Sequence, residues 1–220
     1  MATTLHEPPQ IDLNNLSGAG NGGSIGIPKD GLRATLDHSP PASSSAIWVA
    51  LFAICMMFAA FTSALIVRKG SSMDWQSFAL PSILYFNTFL LLVSSVTLEV
   101  ARRRVNAFMR GARSEAERPA LWLYVTLALG LVFVAGQYVA WTQLRAEGMY
   151  LATNPSSSFF YLLTAVHAVH VLGGLGGLIY VIYKLNNLTL RRNTLVATAR
   201  YWHFMGALWV YLVLLLWFKL

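Results

Sequence analysis

Two histidines three residues apart, His167 and His170, sit in the apolar stretch TAVHAVHVLGG at 164–174. That spacing places both on one face of a helix. Paired imidazoles inside a membrane can ligate zinc, copper or haem iron. A third imidazole, His203, completes a possible three-ligand set. Expected depth argues against a shared ion. In the spans laid out below, His170 falls near mid-membrane and His203 near the cytoplasmic end of the next span. At ~1.5 Å rise per residue the two differ by about 15 Å in depth, beyond the reach of two side chains on one ion. No other span offers a histidine at matching depth for a bis-histidine haem. The pair therefore reads first as a hydrogen-bonded contact between helices, then as a group for polar lipid or protons, and last as a metal or haem site.

Glu99 is the one clear carboxylate within an apolar run. Carboxylates at membrane depth are functional suspects by default. Arg103 stands four residues on, so an i, i+4 ion pair at the cytoplasmic boundary is the simpler expectation, ahead of a proton path. Glu147 beside Arg145 and Asp74 after Lys69 read as solvated loop residues. No phosphate-binding loop, HExxH, serine triad or dinucleotide fingerprint occurs; Gly18, Gly20 and Gly23 imitate the last but follow no strand. Cys55, the single cysteine, excludes an internal disulfide, a CxxC pair and covalent haem attachment.

The elements that must position these groups are membrane helices. The 220-residue chain is 56% hydrophobic and only 11% charged, against about 25% charged in a soluble domain. Five apolar runs, about 46–67, 80–100, 120–144, 158–183 and 201–218, are long enough to cross a hydrocarbon core and lack strand alternation. The fold expected is an all-α, five-helix membrane bundle, because a bilayer obliges each span to satisfy its own backbone. Pro81 is placed in the first turn of the second span and Pro119 ahead of the third. Gly173 and Gly177 form a GxxxG contact, and Gly130 and Gly136 are expected to serve similarly.

Residues 1–45 are a polar tail, rich in Gly, Ser, Asn and Pro, that reads as a flexible segment, with GIPKDGLRATL a linker rather than a docking element. The tail lacks the apolar core of a signal peptide, so the first span is expected to act as its own insertion signal. Twelve Lys and Arg fall on the side holding the tail and the second and fourth loops, against four on the other. The positive-inside rule then places the N-terminus in the cytoplasm and the C-terminus outside, with Trp217 and Lys219 as interfacial anchors. The same rule explains the net charge of +7 without nucleic acid as a partner.

Three segments carry a family resemblance. LPSILYFNTFLLLVSSVTLEVAR (80–102), SSFFYLLTAVHAVHVLGG (157–174) and RYWHFMGALWVYL (200–212) resemble, in order and spacing, three helices of subunit III of the haem–copper respiratory oxidases. The likeness covers about residues 46–220 and is to the short, five-helix bacterial form. It implies an accessory subunit of a bacterial inner-membrane terminal oxidase, which as a whole reduces O2 to water and pumps protons. It implies no catalytic, cofactor or metal residue in this chain, haem and copper in partner subunits, bound phospholipids, contact with subunit I, and subunits II and IV in the same complex. The residues it brings forward for packing or lipid contact are Asn87 and Thr88 (the N-T pair), His167 and His170, Lys184 (where some members place an arginine near a lipid headgroup), and Tyr201, Trp202 and His203. Glu99 joins them from the residue reading. Seven-helix members carry a membrane carboxylate in the helix corresponding to the first span; here no Asp or Glu occurs from 46 to 67, and Cys55 stands near that position. Ala165 and Ala168 replace frequent glycines. Alternatives are an accessory protein of nitric-oxide reductase, whose pattern overlaps; a small transporter, which predicts inverted repeats that are not found; and a freestanding metal enzyme.

Overall fold

The computed structural model describes residues 42–71, 73, 75, 80–109, 120–151 and 154–219. The expectations for residues 1–41, Asp74, Arg110, Arg113, Arg118 and Pro119 lie outside the described residues. Within them the chain is all-helical: α1 (Ala42–Ser71), α2 (Ile83–Met109), α3 (Leu121–Ala146), α4 (Pro155–Asn186) and α5 (Arg192–Lys219). All five are long and apolar enough to cross a membrane.

The helices are longer than the apolar runs that announce them. Hydrophobicity marks only the part that lies in hydrocarbon, whereas the backbone ladder continues while one face stays packed. α5 shows this most. It starts at Arg192, nine residues before the expected Tyr201, because Leu195 and Ala199 continue the buried seam that leads to Trp202. α2 likewise runs past Glu99 to Met109, with Ala101 and Val105 fully buried. α4 begins three residues early. Asn154 caps it, its side chain accepting from the Ser157 amide at 2.9 Å, and Pro155 occupies the first turn, where its missing N–H costs nothing. Pro81 stands just before α2 rather than inside it, its carbonyl accepting from the Leu84 amide at 3.0 Å.

α2, α3, α4 and α5 close a ring: α2 packs on α3, α3 on α4, α4 on α5, and α5 back on α2. α1 lies outside this ring and, among the described helices, packs on α4 and α5. Its buried residues, Leu51, Phe58 and Leu65, recur every seven positions, so a single seam holds it. Two polar contacts pin α1 along that seam. The Thr62 and Tyr211 hydroxyls share a hydrogen bond at 2.9 Å, and the Lys69 ammonium donates to the Lys219 carbonyl at 2.6 Å, in the last turn of α5. Cys55 is exposed on this outer helix.

Trp202 of α5 fills the centre of the ring, and only glycine leaves room for it. A Cβ at Gly130 of α3 would stand 2.7 Å from the indole and 2.7 Å from Leu175; one at Gly174 of α4 would stand 3.1 Å from the indole. The glycines flanking it behave differently: a Cβ at Gly173 or Gly177 meets Tyr201 and Thr198 of α5 at ordinary distance, and one at Gly176 meets nothing. Gly130→Ala is therefore expected to lower stability by about 1–3 kcal/mol, the cost of overpacking. Gly176→Ala, its control, should cost nothing. Thermal unfolding of the detergent-solubilised protein separates the two, and equal behaviour of the variants would contradict this packing.

Candidate functional site

Most of the residues singled out by the sequence fall in two places, a buried layer inside the ring and a groove between α2 and α5; His170, Tyr201 and Lys184 lie outside both. The inner layer is organised by two indoles of α5 seven residues apart. Trp202 donates Nε1–H to the Ser94 hydroxyl of α2 at 3.0 Å. Trp209 donates Nε1–H to the Thr88 hydroxyl of α2 at 3.0 Å, while Thr88 donates to the Leu84 carbonyl at 2.8 Å. Trp209 also stands edge-on to Phe133 of α3 and lies against the His167 imidazole of α4, each at 5.0 Å between ring centres. One side chain of α5 thus touches all three other helices of the ring.

His167 is fully buried, with Phe133 at 6.0 Å and Phe58 of α1 at 6.5 Å on its other sides. Neither ring nitrogen has a hydrogen-bond partner among the described residues. This corrects the expected hydrogen-bonded contact: the imidazole joins α1, α3, α4 and α5 as an aromatic plate. Asn87 and Gln137 share its condition, buried with both amide atoms unpartnered. Asn87 packs against Gly136, where any Cβ would collide with its amide.

His170 differs. Its Nδ1 pairs with the Val166 carbonyl of its own helix at 2.7 Å, and its ring meets Phe58 edge-on at 6.0 Å. A hydrogen bond does cross from α5 at this level, but the donor is the Tyr201 hydroxyl and the acceptor is the backbone carbonyl of His170, at 2.9 Å. The depth argument against a shared site also fails. Gly174 meets Trp202 and Gly177 meets Thr198 across the α4–α5 contact, so His203 lies level with about residue 173, only about 5 Å from His170 along the axis. The early start of α5 removes the expected gap. Azimuth separates the two instead: His170 faces α1, and His203 faces α2. Among the described residues no three His, Cys, Asp or Glu side chains come within reach of one metal ion.

At the groove, Glu99 takes two partners where one was expected. Arg102 binds it through Nε and Nη2, both at 2.8 Å, and Arg103 adds Nε at 2.8 Å. The i, i+3 arginine makes the two-pronged contact, and the expected i, i+4 arginine the single one. Ser95, Val96, Val100 and His203 complete an open groove of about 440 Å³. Lys184 lies near the end of α4, half-buried, with its ammonium 5.6 Å from the Tyr180 ring centre. A second groove of about 350 Å³ runs beside the Gly173–Gly177 segment, between α1, α4 and α5.

Trp209, Ser94 and Gln137 were not among the residues named from the sequence. The two tryptophans were legible as an i, i+7 pair on one helix face; nothing in the sequence told which hydroxyls they would meet. Because His167 satisfies no hydrogen bond, His167→Phe is expected to leave stability unchanged or to raise it by about 1–3 kcal/mol, the cost of an unpaired buried polar group. Trp209→Phe is expected to lower it by about 1 kcal/mol, the typical worth of an interhelical hydrogen bond in a membrane. Chemical unfolding in detergent reads both, and destabilisation by His167→Phe would show that the imidazole is hydrogen-bonded after all.

Comparison with known proteins places this architecture. Residues 46–219 match the family model described as cytochrome c oxidase subunit III. The chain is 28% identical to the cytochrome bo(3) ubiquinol oxidase subunit 3 of Pseudomonas aeruginosa, over 79% of this chain and 85% of that one. It is 28% identical to cytochrome c oxidase subunit 3 of Thermostichus vulcanus, over 86% and 95%, and 27% identical to quinol oxidase subunit 3 of Bacillus subtilis, over 75% and 81%. With the match reaching from α1 to the last turn of α5, the chain belongs to the cytochrome c oxidase subunit III family.

Proposed function

We propose that this chain is the accessory subunit III of a haem–copper terminal oxidase in a bacterial inner membrane. The observation that carries the reading is the family match across all five helices. The relatives named above are subunits of quinol and cytochrome c oxidases, which lends nothing to the nitric-oxide reductase alternative. In this reading subunit I is the direct neighbour, and subunits II and IV belong to the same complex. Haem and copper reside in the partner subunits, where O2 is reduced. This chain supports assembly, retains phospholipid and sustains proton uptake by subunit I.

The inner layer suits a packing role. His167, Trp202 and Trp209 spend their ring faces on neighbouring helices, and a rigid bundle is what a subunit that shapes its neighbour's surroundings requires. Asn87 and Thr88 belong to the same layer. The charge distribution supports an N-terminus inside and a C-terminus outside. That orientation puts Lys184, Glu99 and His203 toward the cytoplasmic face, where Lys184 suits a lipid phosphate and the Glu99 groove faces the headgroup region. The 1–45 tail then lies on the cytoplasmic side of a 46–220 membrane domain.

The complex isolated through a tag on this chain should contain a much larger haem-bearing subunit. Its optical spectrum should show haem in proportion to that partner. The chain purified alone should show no haem absorbance and negligible copper. Stoichiometric haem or copper in the isolated chain, or a tagged preparation with no haem-bearing partner, would refute the assignment.

A further inference from the structure

We propose that a bound water molecule bridges the side-chain amides of Asn87 and Gln137 inside the helix ring. The two residues occupy matched seams. Leu84, Asn87 and Leu91 are buried on α2, and Phe133, Gln137 and Ala140 on α3. Steps of three and four residues keep each set on one helix face. Contacts along these seams fix the register of the two helices. The Thr97 and Thr126 hydroxyls meet at 2.9 Å. Ten residues along each helix, the Asn87 amide lies where a Cβ of Gly136 would be. Glycine at 136 is thus what lets this amide reach α3. Gln137 is the next residue of α3, so the two amides stand within about one residue's rise, ~1.5 Å, of the same level. The other helices close this layer with rings. Trp141 meets Thr164 and, eleven residues along each helix, Gly130 meets Leu175. That register brings His167 of α4 level with Gln137 to within a residue. His167 gives its ring to Phe58, Phe133 and Trp209, and Thr88 is committed to Trp209 and the Leu84 carbonyl.

Asn87 and Gln137 are 0% and 1% exposed. Their amide nitrogens and oxygens have no hydrogen-bond partner among the described residues. An amide buried without a partner is costly, and surrounding lipid does not relieve the cost. The Thr97–Thr126 pair on the same two seams bonds directly; the amides do not. A ligand for them must donate and accept at once, because each amide presents both functions. Water does so in the smallest volume, and buried waters typically bond about three otherwise unpaired groups. An ion fits worse. No Asp, Glu, Lys or Arg stands within seven residues of Asn87, Gln137, His167 or Trp209 along the chain, so neither sign of charge would be matched at this level. An apolar ligand would leave both amides unpaired.

The water site does not depend on the oxidase assignment. The full-length chain, deuterated and labelled with 15N at its Asn and Gln side-chain amides, would be studied in detergent by NMR. Asn87→Leu and Gln137→Met replace each amide by an apolar group of similar shape and identify its signal by disappearance. In wild type, both amides should show cross-peaks to a long-lived water. Gln137→Met should abolish the water cross-peak of Asn87, and Asn87→Leu that of Gln137, because half the site no longer holds the molecule. Gly176→Ala, in open space on α4, should keep both. Cross-peaks between the two amides with none to water would overturn the proposal in favour of a direct pair. Wild type without water cross-peaks would overturn it too, as would a water cross-peak that keeps its full intensity in the partner's variant. Should either variant fail to fold, a cryo-EM map of the tagged wild-type preparation decides. Water density within hydrogen-bond distance of both amides supports the site, and a map that shows ordered water elsewhere but none here refutes it.

Discussion

Two indole N–H groups on α5, two helical turns apart, hold this bundle in register. Each must be paired once buried in hydrocarbon, because an unpaired donor costs about 1–3 kcal/mol. Trp202 pairs with Ser94 and Trp209 with Thr88, both on α2. These bonds fix how far α5 slides along α2. The ring faces then do the rest. Trp202 presses on Gly130 and Gly174, and Trp209 on Phe133 and His167. Large rings in the middle require small residues around them, so the glycines of α3 and α4 follow from the tryptophans of α5.

Other polar contacts repeat the logic in weaker form. The Thr97 and Thr126 hydroxyls meet at 2.9 Å between α2 and α3, and Trp141 donates to Thr164 at 3.0 Å between α3 and α4. Each joins adjacent helices of the ring. Thr126 and Thr164 also donate to carbonyls one turn back, which keeps the hydroxyls satisfied without bending the ladder far. Where lipid offers no hydrophobic drive between helices, such bonds and close packing are what holds them together. α1 receives least of this. Its seam carries the Thr62–Tyr211 and Lys69–Lys219 hydrogen bonds, Arg200 of α5 stands over the Trp48 ring, and most of its surface faces outward. A helix so held is open to a further neighbour on its outer side.

The buried but unpaired His167, Asn87 and Gln137 run against the general rule. In the two histidines, identical chemistry at neighbouring turns has opposite fates. His170 faces α1 near the edge of the ring and finds a carbonyl on its own helix; His167 points inward and finds only rings. The difference is three residues, or most of one helical turn, and it is enough to move a side chain from rim to centre.

Composition, the five apolar runs and the scarcity of charge within them were sufficient to expect an all-helical membrane protein, since only helices and closed barrels satisfy the backbone in hydrocarbon and no run alternates as barrel strands do. The i, i+4 spacing of Glu99 and Arg103 was sufficient to expect an ion pair, because partners on one helix are set by local geometry alone. Helix ends were not read from the apolar runs even where local signals mark them: α4 starts at Pro155 with Asn154 as its cap, three residues before the expected 158. Where packing rather than hydropathy extends a helix, as at Arg192–Arg200, the apolar pattern stops too soon, and every depth inferred from it shifts. That shift undid the expected gap between His170 and His203. Only the tertiary structure decided which hydroxyl each indole meets, which glycine faces which ring, and that His167 is enclosed while His203 opens on a groove. Those outcomes depend on the rotation and register of one helix against another, which are set by contacts between residues far apart in the chain and leave no local periodicity to read.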